Sequence, residues 1–296
     1  MEFLQQMVNG ISLGSIYALI ALGYTMVYGI VKLINFAHGD VLMLGAFAGF
    51  FVLSALGVVT PFTLIAAFAV SMVICALIGI LIEKTCYKPL RNAPRINTLI
   101  TAIGLSIFLE NAARVLPIIG PNPKQFPTMP NVTYKFFDVG ISQVQILVFG
   151  VSIFLMILLN YVINYTKMGK AMRAVSFDRG AAYLMGINVD WVISFTFALG
   201  SALAAAAGVL YASAYPQVEP YMGIMPGLKA FVAAVLGGIG SIPGAVLGGF
   251  IMGITETLAK GFISSELADA IAFGILIIIL VVKPSGILGK NTREKV

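Results

Sequence analysis

Charge is scarce in this chain. Only 10% of its residues are Asp, Glu, Lys or Arg, against about a quarter in ordinary soluble domains, and that composition excludes such a domain. A single histidine, His38, has no matching nucleophile, so no catalytic set is visible. The two cysteines, Cys75 and Cys86, lie in unlike settings, one inside an apolar run and one beside basic residues. A disulfide is therefore not expected, and a metal site would need more ligands. No GxxxxGK[ST] pattern occurs, which excludes ATP hydrolysis on the usual phosphate loop. Glu2 is the only charged residue before Lys32, so the first apolar run lacks the basic flank of a cleavable signal.

Apolar residues are what the chain has in excess: 59% of the total, with a mean hydropathy of +1.00. Phe3 to Val31, Val41 to Ile82, Val139 to Thr166 and Ala230 to Thr255 carry no charge at all. A hydrocarbon core roughly 30 Å thick takes about 20 helical residues to cross, and only helices or closed barrels satisfy their backbone there. The expected fold is an all-α polytopic membrane protein of about 8–9 membrane segments, forming one transmembrane domain over residues 1–296. Spans are expected near Met7–Val31, Val41–Leu56, Phe62–Ile82, Ile96–Leu116, Val144–Asn164, Trp191–Ala214 and Leu267–Val282. Between the last two, Leu228–Ile239 and Ala245–Leu258 form a Gly/Pro-broken pair around Gly240-Ser241-Ile242-Pro243-Gly244, either re-entrant or crossing twice. A proline-rich loop over about 117–143 ends in VTYKFFDVGIS, a hairpin pattern.

The net charge of +6 follows membrane orientation and gives no indication of a nucleic-acid partner. Thirteen of the eighteen Lys and Arg residues fall in the 32–40 link, the 83–95 loop, the 167–190 segment and the tail from Lys283. Alternating crossings put all four on one face, which the positive-inside rule makes cytoplasmic. The N-terminus and the 117–143 loop are then outside and the C-terminus inside.

Three places attract attention as sites. The charged segment 167–190 sits between two apolar runs, and its centre reads as a short helix. Ser176 or Asp178 can cap it, Arg179 to Met185 contains no breaker, and Gly186 can end it. Tyr183, Leu184 and Met185 would give it an apolar face for a cytosolic partner. The interruption Asn35-Phe36-Ala37-His38-Gly39-Asp40 either shapes a helix break or takes part in a solute path or gate, and Asp40 is suited to cap the next helix. The glycines around Gly240, Ser241 and Gly244 serve either close helix packing or backbone exposed to such a path. Glu110 and Arg114, and Glu256 and Lys260, stand four apart and read as ion pairs on helix faces.

These segments together resemble the membrane permeases of bacterial ABC importers for branched-chain amino acids, of the LivH type. The resemblance is carried by GISLGSIYALIALGYTMVYGIVKLINFAHGD at 9–40, LITAIGLSIFLENAARVL at 99–116, SFDRGAAYLMGINVDWVISFTFALGSALAAAAGVL at 176–210 and KAFVAAVLGGIGSIPGAVLGGFIMGITE at 229–256. It implies a subunit of the bacterial inner membrane that transports Leu, Ile or Val by alternating access and is not itself an enzyme. It implies a homologous second permease, two cytoplasmic ABC ATPases carrying the ATP and Mg, and a periplasmic substrate-binding protein, all around a subunit set in the lipid bilayer. It makes Ser176, Asp178, Arg179, Ala181, Ala182, Tyr183, Leu184, Met185 and Gly186 the ATPase-coupling segment, with Asp178 where importers usually carry glutamate. Asn35, His38, Gly39, Gly240, Ser241 and Gly244 become candidates for the path or gate. A permease for urea or short amides of the same superfamily shares this layout, and a secondary transporter is a further alternative.

Overall fold

A computed structural model describes residues 2–91, 93–130, 132–136 and 139–289. Asn131, residues 137–138 and the basic tail from Lys290 lie outside the described residues. Among the described residues eleven α-helices run in the order α1 (Glu2–Val31), α2 (His38–Leu56), α3 (Pro61–Ile82), α4 (Arg95–Val115), α5 (Gln143–Tyr165), α6 (Lys167–Phe177), α7 (Arg179–Leu184), α8 (Val189–Ala214), α9 (Ile224–Gly237), α10 (Ile242–Phe262) and α11 (Ala268–Val282). Seven of them are long and apolar enough to cross a membrane, and α9 and α11 are shorter apolar helices. The fold is all-α and polytopic, as its hydropathy demands.

The helix starts are set by local chemistry. Thr60 caps α3 reciprocally with Thr63 ahead of Pro61, and Ser142 does the same for α5 with Gln145. Thr166, Asp178, Asn188 and Ser241 cap α6, α7, α8 and α10. Each side-chain oxygen takes an N–H that the helix leaves unpaired. The segment 133–142 forms the expected hairpin, strands Thr133–Phe136 and Val139–Ser142 pairing antiparallel. A second small ladder joins Lys124–Gln125 to Gln217–Val218, tying the proline-rich loop to the segment after α8.

α1 and α8 form the buried axis of the bundle. Gly10 and Gly14 on α1 face Ile254 and Phe250 on α10, Ala18 faces Gly249, and Gly29 faces Gly240, so α1 and α10 run antiparallel in close contact. Small residues permit this approach, since lipid offers helices little hydrophobic drive to associate. By contrast α3, α4 and α5 present rows of exposed apolar residues such as Ile65, Leu77, Ile100, Phe108, Phe154 and Ile157, as helices facing lipid or a second subunit must.

Two helices begin inside the bundle. After α1 the chain turns at Lys32 (φ 59°), and residues 32–37 climb back until His38 lies against Gly23. Gly23 is eight residues short of the end of α1, about 12 Å in at the helical rise. α9 has 14 residues, roughly 21 Å long, and starts beside Gly39. The break after α8 therefore lies at 215–223, earlier in the chain than the glycine cluster at 240–244, which forms the tight turn between α9 and α10. α9 accordingly runs from Ile224 to Gly237, starting upstream of the expected Leu228.

Candidate functional site: a cavity at two helix starts and an exposed short helix

The starts of α2 and α9 meet backbone to backbone. A Cβ on Gly223 would lie 2.0 Å from the Gly39 carbonyl oxygen, and one on Gly227 would lie 2.8 Å from Gly39 Cα. Only glycine admits this approach. Beside the junction opens a cavity of about 220 Å³. Its polar wall consists of Tyr24 from α1, Asp40 from the first turn of α2 and Ser106 and Glu110 from α4; its apolar wall includes Phe36, Ile103, Ile107, Leu228 and Phe231. Asp40 does not cap α2 as expected: Ala37 occupies that place with no side-chain cap, because the helix begins three residues earlier than the apolar run suggests.

The candidate path residues separate in space. Gly39 lines the cavity. Asn35 packs behind it, accepting a hydrogen bond from the Tyr87 hydroxyl at 2.8 Å, and buried His38 stacks on Tyr24 with ring centroids 4.6 Å apart. Gly240, Ser241 and Gly244 lie at the α9–α10 turn near Gly29 and Gly237, where Ser241 caps α10. They do not line this cavity.

The two spaced acid–base pairs behave differently. Glu110 makes no ion pair among the described residues; Arg114 instead donates to the Tyr221 hydroxyl at 2.6 Å and covers its ring. Tertiary neighbours outweigh the weak i,i+4 attraction here. Glu256 and Lys260 do pair, at 2.6 Å. Buried Glu256 also accepts from Tyr17 Oη at 2.8 Å and Lys229 Nζ at 2.8 Å, and Lys229 reaches Asp269 at 2.6 Å. This cluster ties α1, α9, α10 and α11 together.

The 167–190 segment folds as α6 and α7. Ser176 sits in the last turn of α6, with its hydroxyl donating to the Arg173 carbonyl. Asp178 caps α7 at Ala181 N, 3.0 Å, and Gly186 follows with φ 80°. Ala182 is buried and Ala181 exposed, and Tyr183, Leu184 and Met185 are 72%, 85% and 81% exposed. Arg179 turns inward and donates to the Val31 carbonyl at 2.8 Å, at the end of α1. Partial burial, with the charge of Arg91 nearby, lowers its pKa. Arg91 itself bridges Glu83 and Asp190, and Ser194 donates to Glu83 at 2.6 Å. α7 is thus an exposed apolar knob joined to the bundle through Ala182 and Arg179, one contact away from the link that leads to Gly39.

Sequence reasoning passed over Asp40, Ser106 and Glu110 as a group. Their signal was present, since Ile103, Ser106, Ile107 and Glu110 share one face of α4 at helical spacing. What joins that face to Asp40 is tertiary.

Comparison with known proteins agrees with this architecture. The family described as branched-chain amino acid transport system / permease component matches residues 6–280. The chain is 46% identical to the high-affinity branched-chain amino acid transport system permease protein LivH of Escherichia coli K12, over 99% of this chain and 98% of that one. It is 44% identical to BraD of Pseudomonas aeruginosa over 100% and 98% of the two chains. Against a probable LivH of Methanocaldococcus jannaschii the identity is 29%, over 95% and 90%. No solved structure matches. The chain belongs to the family of branched-chain amino acid transport permeases.

Proposed function

We propose that this chain is the membrane-spanning subunit of an ATP-driven importer for leucine, isoleucine and valine. The observation that carries the reading is full-length identity of 46% to a LivH permease, and the urea and secondary-transporter alternatives have no comparable support. In this reading α7 docks on a cytoplasmic ATPase, a related permease covers part of the exposed face of α3 to α5, and a periplasmic binding protein delivers solute to the face bearing the 133–142 hairpin. The N-terminus is outside and the C-terminus cytoplasmic, which is supported by the basic residues gathered at the α7 end. ATP binding closes the ATPases and moves α7, and Arg179 carries that motion to the end of α1 and the link before Gly39. The bias comes from ATP binding the two permease states with different affinity.

Affinity purification of the chain from its native membrane tests the assembly. Two ATPases, a second permease and a binding protein are expected in the eluate. Recovery of the chain alone, or with copies of itself only, would contradict the reading.

A further inference from the structure

We propose that the cavity at the α2–α9 junction holds the α-ammonium group of the transported amino acid between Asp40 and Glu110. This rests on the reading of the chain as a branched-chain amino acid permease, and adds where that permease holds its solute.

Asp40 is 2% exposed, and its Oδ2 atom has no hydrogen-bond partner among the described residues. Buried polar atoms are nearly always satisfied, and a carboxylate inside a membrane protein is costly unless something pairs with it. Glu110 faces the same cavity, and the cation spaced to neutralise it, Arg114, is turned to Tyr221. Two acids, the Ser106 hydroxyl and Tyr24 therefore line one small cavity, with no Lys, Arg or His on its walls among the described residues. Such a site selects a cation with hydrogen-bond donors. The remaining walls, Ile103, Ile107, Leu228 and Phe231, select an aliphatic group attached to it. An ammonium group next to a branched aliphatic side chain meets both demands.

The rest of the solute fits the same place. α2 and α9 both begin at the junction, and helix N-termini carry partial positive charge that favours a carboxylate. Gly39, Gly223 and Gly227 put no side chain between that backbone and the cavity.

The test uses the complete importer in liposomes, with leucine-loaded binding protein outside and ATP inside. Glu110→Gln and Asp40→Asn are expected to lower leucine uptake about tenfold or more, the loss associated with one charged hydrogen bond, and Glu110→Asp to recover part of it. A positional readout separates binding from folding. In a Cys86→Ser background, Ser106→Cys is expected to react with a small thiol reagent more slowly while leucine is supplied. Adding Glu110→Gln should remove that protection, an effect a merely structural role for Glu110 would not produce. If Asp40→Asn fails to assemble, Glu110→Gln decides. Uptake within twofold of wild type in Glu110→Gln, or labelling of Ser106→Cys indifferent to leucine while wild-type liposomes import it, overturns the proposal. Wild-type liposomes that import no leucine would instead overturn the functional reading beneath it.

Discussion

Replacing Leu184 and Met185 together by Glu is expected to strip the ATPases from the complex and leave the membrane-embedded chain intact. Both side chains are more than four-fifths exposed, so the bundle loses no packing when they change. α7 keeps its Asp178 cap, its buried Ala182 and the Arg179 contact with α1. The partner, however, loses two apolar anchors, each worth roughly 1.5–3 kcal/mol when fully buried, and gains two charges to desolvate. Affinity should fall by on the order of a thousandfold. Copurification from the membrane, with thermal unfolding as control, measures it. ATPases retained at the wild-type ratio would show that docking occurs elsewhere.

Lys229→Met is expected to be the most damaging single change inside the bundle. Lys229 is 5% exposed and bridges Glu256 and Asp269. Its loss leaves Asp269 without its partner and buried Glu256 with only Lys260 and Tyr17. Removing one member of a buried ion pair costs about 3–5 kcal/mol, because the remaining charge stays buried. Thermal unfolding of the purified chain should shift down by several degrees, and Lys229→Met/Glu256→Gln should regain part of the loss. An unchanged unfolding temperature in the single variant would mean that the cluster does not hold α9 in place.

The spans, the hairpin and the capped helix at 179–184 were legible because each depends on short-range chemistry: apolar run length, alternation, or an Asp three residues before an unpaired N–H. The depth of the breaks was not. Gly240 to Gly244 punctuates the sequence most strongly, yet the turn it makes lies at one end of the bundle, while the irregular backbone inside it comes from 32–37 and 215–223. Those stretches reach their depth through contacts of Gly39 with Gly223 and Gly227, nearly two hundred residues apart. Likewise Lys229 reads as a cation at the start of an apolar segment, and its burial is sustained by Glu256 and Asp269 arriving from α10 and α11. Glu110 and Arg114 have the spacing of a pair, but Tyr221 and the cavity divide them, and no local rule contains that information.

In the proposed importer this chain carries branched-chain amino acids inward, with ATPases at the α7 face and the binding protein at the hairpin face. The most direct measurement is radiolabelled leucine uptake into proteoliposomes of the complete assembly with ATP and binding protein placed on chosen sides. Uptake is expected only with ATP on the α7 side and loaded binding protein on the hairpin side, and unlabelled isoleucine or valine should compete. Leucine accumulation without ATP, or with the two components on the same side, would contradict the account.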